Sequence, residues 1–310
     1  MDDERVVQEI VTKFFLNTCR LRPQLSKPVL LAAVFCTIDA NARNKDDAEA
    51  HMIPLTTGSV AEFYVEPMLP HVGDVDVMYY ESNDLAIPRG QSPPTQLPAE
   101  FSNSVHVYEI IDSHLPGYVY LVLRYLLTDF NDEGKFNAEE CRREYVSHIC
   151  HTEGETEIIS GPAFVEELTI DTPIKSCDHV HCIRCLSWPL QAADWPTRHR
   201  NYDWPDSATV DRVVNNGCDV VGVAHRQCRQ DKWMGKSQWR LSFSRAEIVL
   251  INSWMPVQQI VYHMLRVFMK AERLTDSADD SGASKVSNYH IKTLMLWACE
   301  LKPKSWWSND

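Results

Sequence analysis

The most restrictive stretch of this 310-residue chain is Asp74-Val75-Asp76-Val77-Met78-Tyr79-Tyr80. Its alternation of polar and β-branched or aromatic residues reads as a strand. Side chains two apart on a strand share a face. Asp74 and Asp76 therefore point the same way, roughly 6.7 Å apart along the chain, and the valines point the other way. Two parallel carboxylates repel each other unless a cation lies between them, and hard oxygen donors select Mg2+ or Mn2+. The plain alternative is a surface strand carrying two solvated aspartates.

Upstream lies Gly58-Ser59. A glycine lets backbone amides approach a phosphate, and a serine hydroxyl adds a hydrogen bond. A glycine-serine turn before a D-x-D strand is the layout of a nucleotidyltransferase. In that chemistry a hydroxyl attacks an α-phosphate in line, and two metal ions stabilise the attacking and leaving oxygens. A third carboxylate on a neighbouring strand completes such a site, and Asp171, Asp178 and Asp219 are the candidates. In CDHVHCIRC, residues 177–185, strand alternation places Asp178, Val180 and Cys182 on one face. Cys177, His179 and His181 take the other. These ligands do not converge, and no second half of a four-ligand set lies nearby, so no zinc site is expected.

The formal charge of −13 excludes a uniformly basic surface. A local basic patch remains open, because binding to phosphates depends on the field at the groove. Arg226, Arg229, Lys232, Lys236, Arg240 and Arg245 fall in one stretch against the single acid Asp231. The alternative there is a solvated polar face. No run approaches ~18 apolar residues, so no membrane span is expected. The acidic, amphipathic start is unlike a signal peptide. With ten scattered cysteines, reduced thiols in the cytoplasm are expected.

Residues 4–20 carry apolar side chains at helical spacing. Strand signals follow from Gly58 to about residue 188, with irregular connectors at 91–101 and 188–206. From about residue 240 the pattern is helical, interrupted at Pro256, and a last amphipathic helix starts near Ser287. The expected class is α+β with two lobes. Residues 1–200 form a mixed-sheet nucleotidyltransferase core with a long N-terminal spine helix, and residues 201–310 form a helical lobe.

Seven segments in order, Gly58-Ser59, DVDVMYY, ISGPA at 159–163, CDHVHCIRCLSWP, DVVGVAH, QWRLSFSRAE at 238–247 and SNYHIKT at 287–293, resemble the Mab-21 family. That family includes cyclic GMP–AMP synthase and the cGAS-like receptors, and the resemblance runs over roughly residues 5–310. It implies that Asp74, Asp76 and Asp178 form the catalytic, metal-binding triad for Mg2+ or Mn2+. It implies that Thr57, Gly58 and Ser59 grip the triphosphate. Arg240, Ser242, Glu247, Arg266, Ser287 and Tyr289 match nucleotide-binding positions, with Tyr289 stacking on a base, and Lys292 is within reach of phosphates. The chain lacks the zinc-binding thumb of the vertebrate synthases, since SRAEIVLINSWMP runs on without an insertion. Double-stranded RNA therefore becomes at least as good an activator candidate as DNA. The family pattern continues past W-x-C-E-x-x-P-x-x-W with closing helices, so a shortened helical lobe is expected. The implied activity is synthesis of a cyclic dinucleotide from ATP- and GTP-type nucleotides in innate immune signalling. A catalytically silent, developmental Mab-21-like protein is the alternative.

Overall fold

The computed structural model describes residues 51–62, 74–129, 135–148, 159–160, 163–167, 176–272 and 286–307. The expected N-terminal helix, and Asp171 among the candidate acids, lie outside them. β-Branched and aromatic residues favour a pleated, half-buried surface, and the described strands join in one 10-stranded sheet. They are β1 (Met52–Thr57), β2 (Asp74–Pro88), β3 (Ser104–Asp112), β4 (Tyr118–Asp129), β5 (Phe136–Tyr145), β6 (Ile159–Ser160), β7 (Ala163–Glu167), β8 (Ser176–Cys185), β9 (Cys218–Val221) and β10 (Gln238–Ser242).

The order is β1-β2-β3-β4-β10-β9-β8-β7-β6, with β5 on β4. A further pairing of β2 with β8 closes β2, β3, β4, β10, β9 and β8 into a ring. β2 runs parallel to both β3 and β8, and the remaining pairs are antiparallel. One apolar cluster joins Met78, Tyr80, Leu85, Val105, Val107, Leu127, Cys182 and Val221. The other joins Ala86, Ile110, Val119, Leu121, Ile183, Cys185, Val220 and Trp239. Period-two alternation thus gives most ring strands an apolar row for each cluster. β9 and β10 lie past residue 200, so the sheet runs on beyond the expected lobe boundary.

The main helices are α1 (Gly58–Glu62), α2 (Ser207–Asn215), α3 (Ser244–Asn252), α4 (Pro256–Ala271) and α5 (Asn288–Leu301). Asp206 caps α2 by accepting from the Thr209 amide at 2.7 Å, which satisfies one of its orphan N–H groups. Pro256 opens α4, where its missing N–H costs nothing. Val213, Leu250, Ile251, Trp254, Tyr262, Ile291, Met295 and Cys299 form the core of these helices. No described helix is long and apolar enough to cross a membrane.

β9 carries a charge into the interior. Asp219 is fully buried, and its carboxylate accepts from Arg245 Nε at 2.9 Å with Arg184 Nη1 at 3.8 Å. Arg184 also donates to the carbonyls of Cys185 at 2.8 Å, Cys218 at 2.7 Å and Asn216. Burial pushes the Asp219 carboxyl up, and the two guanidiniums oppose that shift. A buried charge is tolerated only when paired in this way.

Two imidazoles, His263 buried and His148 half-buried, contribute to the acid response of the fold. Burial lowers the affinity of His148 for a proton, and burial with the nearby Arg266 charge does the same to His263. The unfolded chain protonates these groups near pH ~6.5 while the folded chain resists. Their contribution is therefore present above the unfolded value and is lost as pH falls from there through the lower folded value. The urea midpoint is expected to drop between pH 7.5 and pH 5.5. Replacing both histidines by glutamine should flatten that slope.

Candidate active site

The parallel register of β2 and β8 pairs Asp74 with Ser176, Val75 with Cys177, Asp76 with Asp178 and Val77 with His179. Asp76 and Asp178 are therefore direct neighbours on adjacent strands, which lie roughly 4.8 Å apart, and project from one face. Tyr79 projects from the other face, stacked on the His179 ring with centroids 5.5 Å apart. The side chain of Asp74 lies outside the described residues. Among the described residues no group of three or more His, Cys, Asp and Glu is gathered for a metal ion. The described part of the expected donor set is thus Asp76 and Asp178. Two carboxylates on one face supply the hard oxygens that suit Mg2+ or Mn2+. The cysteines around Asp178 take no part in such a set. Cys177, Cys182 and Cys185 are buried free thiols, and Cys185 donates to the Ser187 carbonyl at 3.3 Å.

β1 brings the glycine-serine turn to these carboxylates. Its last residue, Thr57, pairs with Asp76 and places its hydroxyl 3.4 Å from the Asp76 carbonyl oxygen. The chain then turns into α1 through Gly58 at φ +62°. A Cβ at this position would meet the Asp76 Oδ2 at 1.8 Å and its Cγ at 2.5 Å. The backbone angle favours glycine, and any side chain here would displace the Asp76 carboxylate. The side chain of Ser59 lies outside the described residues.

Two of the nucleotide-matched positions face the same way as Asp76. On β10, Arg240 and Ser242 pair with Val221 and Asp219 of β9, and the Ser242 hydroxyl lies 3.9 Å from the sulfur of Met78. Met78 is two residues along β2 from Asp76, on the same face. Arg240 is exposed.

The other matched positions gather on the helices. Lys292 of α5 donates to Glu247 Oε2 of α3 and to Glu62 Oε1 of α1, each at 2.6 Å. Glu62 is buried. Burial pushes its carboxyl up, and the Lys292 ammonium is the main opposing influence. The two carboxylates hold the Lys292 ammonium above its ordinary range against the cost of its own burial. Arg266 of α4 lies over the Tyr262 ring at 5.7 Å, and its buried Nε has no hydrogen-bond partner. Tyr289 is 60% exposed, with the Lys292 ammonium 5.6 Å from its ring centre. Ser287 precedes α5, and its amide and hydroxyl meet His290 Nδ1 at 2.9 and 3.0 Å. The sequence reading overlooked Glu62. Its own neighbours carry no signal for it, since an acid in EFYVEP reads as surface.

The basic stretch divides. Arg226, Arg229, Lys232, Lys236 and Arg240 are exposed, whereas Arg245 is turned inward onto Asp219. Asp231, the one acid among them, accepts from the amides of Trp233 and Met234 at 2.9 and 2.7 Å.

Part of the chain is similar to known proteins. Residues 110–253 match the Mab-21 protein nucleotidyltransferase domain. The match takes in Asp178, Arg240, Ser242 and Glu247, and stops short of Gly58, Asp74 and Asp76. The chain is similar to the mab-21-like protein of Aedes aegypti, 29% identical over 119 residues. It is similar to that of Drosophila melanogaster, 28% identical over 121 residues. The segment compared is 38% of this chain and 30% of each of these relatives.

The contact between Gly58 and Asp76 is testable. Gly58→Ala is expected to lower stability by about 1–3 kcal/mol, through the left-handed backbone and the clash together. The penalty should shrink, without vanishing, when Asp76 is also replaced by alanine, because the clash goes and the backbone strain stays. A double-mutant cycle in urea measures this coupling.

Proposed function

We propose, from the premise that the chain carries a Mab-21 nucleotidyltransferase domain over residues 110–253, that it is a metal-dependent nucleotidyltransferase. It joins ATP- and GTP-type nucleotides into a cyclic dinucleotide, in the cytoplasm, on binding double-stranded RNA. The observation that carries this reading is the β2–β8 register, which sets Asp76 beside Asp178 with Gly58 against the Asp76 carboxylate. Three repelling carboxylates are a cost to a scaffold and an asset to a phosphoryl-transfer enzyme.

Asp74, Asp76 and Asp178 would hold Mg2+ or Mn2+, which when bound neutralises charge on the phosphate oxygens. Asp178 accepts the proton of the attacking ribose hydroxyl. The Gly58 turn brings backbone N–H groups to the triphosphate without a side chain intervening. Arg240 and Ser242 meet the nucleotide from β10, and Tyr289 offers an exposed ring to a base. The exposed Arg226, Arg229, Lys232 and Lys236 supply a local positive field for RNA phosphates on an otherwise acidic chain.

A second reading, a catalytically silent protein that acts by binding, is favoured by one observation. Lys292, expected to reach phosphates, is already held between two carboxylates. Labelled ATP and GTP incubated with Mg2+ or Mn2+ and a panel of RNA and DNA duplexes separate the two. The enzyme reading expects a cyclic product with duplex RNA and at least a hundredfold loss, on the order of 3 kcal/mol, in Asp178→Asn. Absence of product with every duplex, or product undiminished in Asp178→Asn, supports the silent reading.

A further inference from the structure

α1 has one turn, far below the length at which a helix is stable alone, so its pose depends on what ties it down. At its start the β1 register and the Gly58–Asp76 contact hold it. At its other end stands Glu62, whose carboxylate reaches Lys292, 230 residues away in sequence. Lys292 makes a second bond to Glu247, and the three side chains are 4%, 12% and 16% exposed. Arg266 adds a smaller influence that favours the ionised form of Glu62.

Such a bridge joins three elements that the sequence keeps apart. One is the turn against the catalytic carboxylates, and the other two are the helices bearing Glu247 and Tyr289. A buried charge network with short bonds on both sides of one ammonium holds its members in a single geometry. Burial alone would serve stability with less cost if the three groups were apolar. What apolar residues would not supply is a directional link from α5 to the Gly58 turn.

We propose that Glu62 is a positioning residue, which through Lys292 sets the pose of the Gly58 turn and makes that pose depend on the nucleotide-facing helices α3 and α5. The proposal rests on the nucleotidyltransferase reading. Glu62 does not touch the reacting atoms and acts through Lys292. Loss of its charge therefore weakens the grip on the triphosphate more than it slows the chemical step.

The test uses the full chain with Glu62→Gln, Lys292→Met and the double variant, and Glu272→Gln as an exposed control. Hydrogen exchange of the peptide containing Gly58–Glu62 is measured without nucleotide. Binding of a fluorescent ATP analogue is measured with Mn2+. Glu62→Gln keeps shape and hydrogen bonding, so the fold survives, which circular dichroism checks. The expected result is faster exchange in that peptide and about tenfold weaker ATP binding. The double variant should be no worse than Lys292→Met alone. Where a product is formed, KM for ATP rises about tenfold while kcat changes less than threefold. Unchanged exchange with unchanged ATP affinity in Glu62→Gln overturns the proposal and leaves the enzyme reading standing. Additive losses overturn the route through Lys292. A wild-type chain that binds no ATP overturns the enzyme reading, and the positioning role with it, whatever the exchange shows.

Discussion

Everything at the candidate site depends on one strand pairing, β2 against β8 in parallel register. A slip of one residue would turn Asp178 to the opposite face and bring the row of Cys177 and His179 beside Asp76. The register is held by buried pairs on both faces of the two strands. Val75 and Cys177 are paired and buried, as are Tyr80 and Cys182. The same pairing closes the ring of six strands, so the carboxylate face is set by the packing of the whole ring.

That ring also explains why two of the candidate acids have different fates. Asp178 is only half-buried, beside Asp76. Asp219 is on the same sheet and has its carboxylate enclosed by Arg184 and Arg245. Enclosure by two guanidiniums in the interior makes it a structural charge. Asp171 lies outside the described residues. Strand position alone did not separate them, because all three stand in stretches of β-favouring residues.

The helices add a second layer. The sheet positions carboxylates through hydrogen-bonded register, which is rigid. The helices reach the same region through side-chain bonds to Glu62, which are long-range in sequence and few in number. A strand register cannot be altered without unpairing the sheet. The carboxylate pair therefore forms the fixed half of the site, and the glycine turn, tied through Glu62 and Lys292 to the helices, forms the half whose pose depends on them.

Local periodicity in the sequence was enough for the strands at 74–80, 104–112 and 176–185 and for the helix after Ser287, because alternation and amphipathic spacing are properties of neighbouring residues. Parity also put Asp178 on one face of its strand and the neighbouring Cys177 on the other, and the register sets Asp178 beside Asp76. Sequence did not settle the lobe boundary. β9 is four residues long and β10 only five, too short for a period to show before the ring recruits them. Nor did it reveal Glu62, or turn Arg245 inward from the basic stretch. Those outcomes depend on partners 230 and 26 residues away, and the energy of a buried charge is decided by what surrounds it in space. Residue types and parity belong to the sequence by itself; which acid faces a neighbour, which is sealed in, and which ties the turn to the helices were decided only by the tertiary structure.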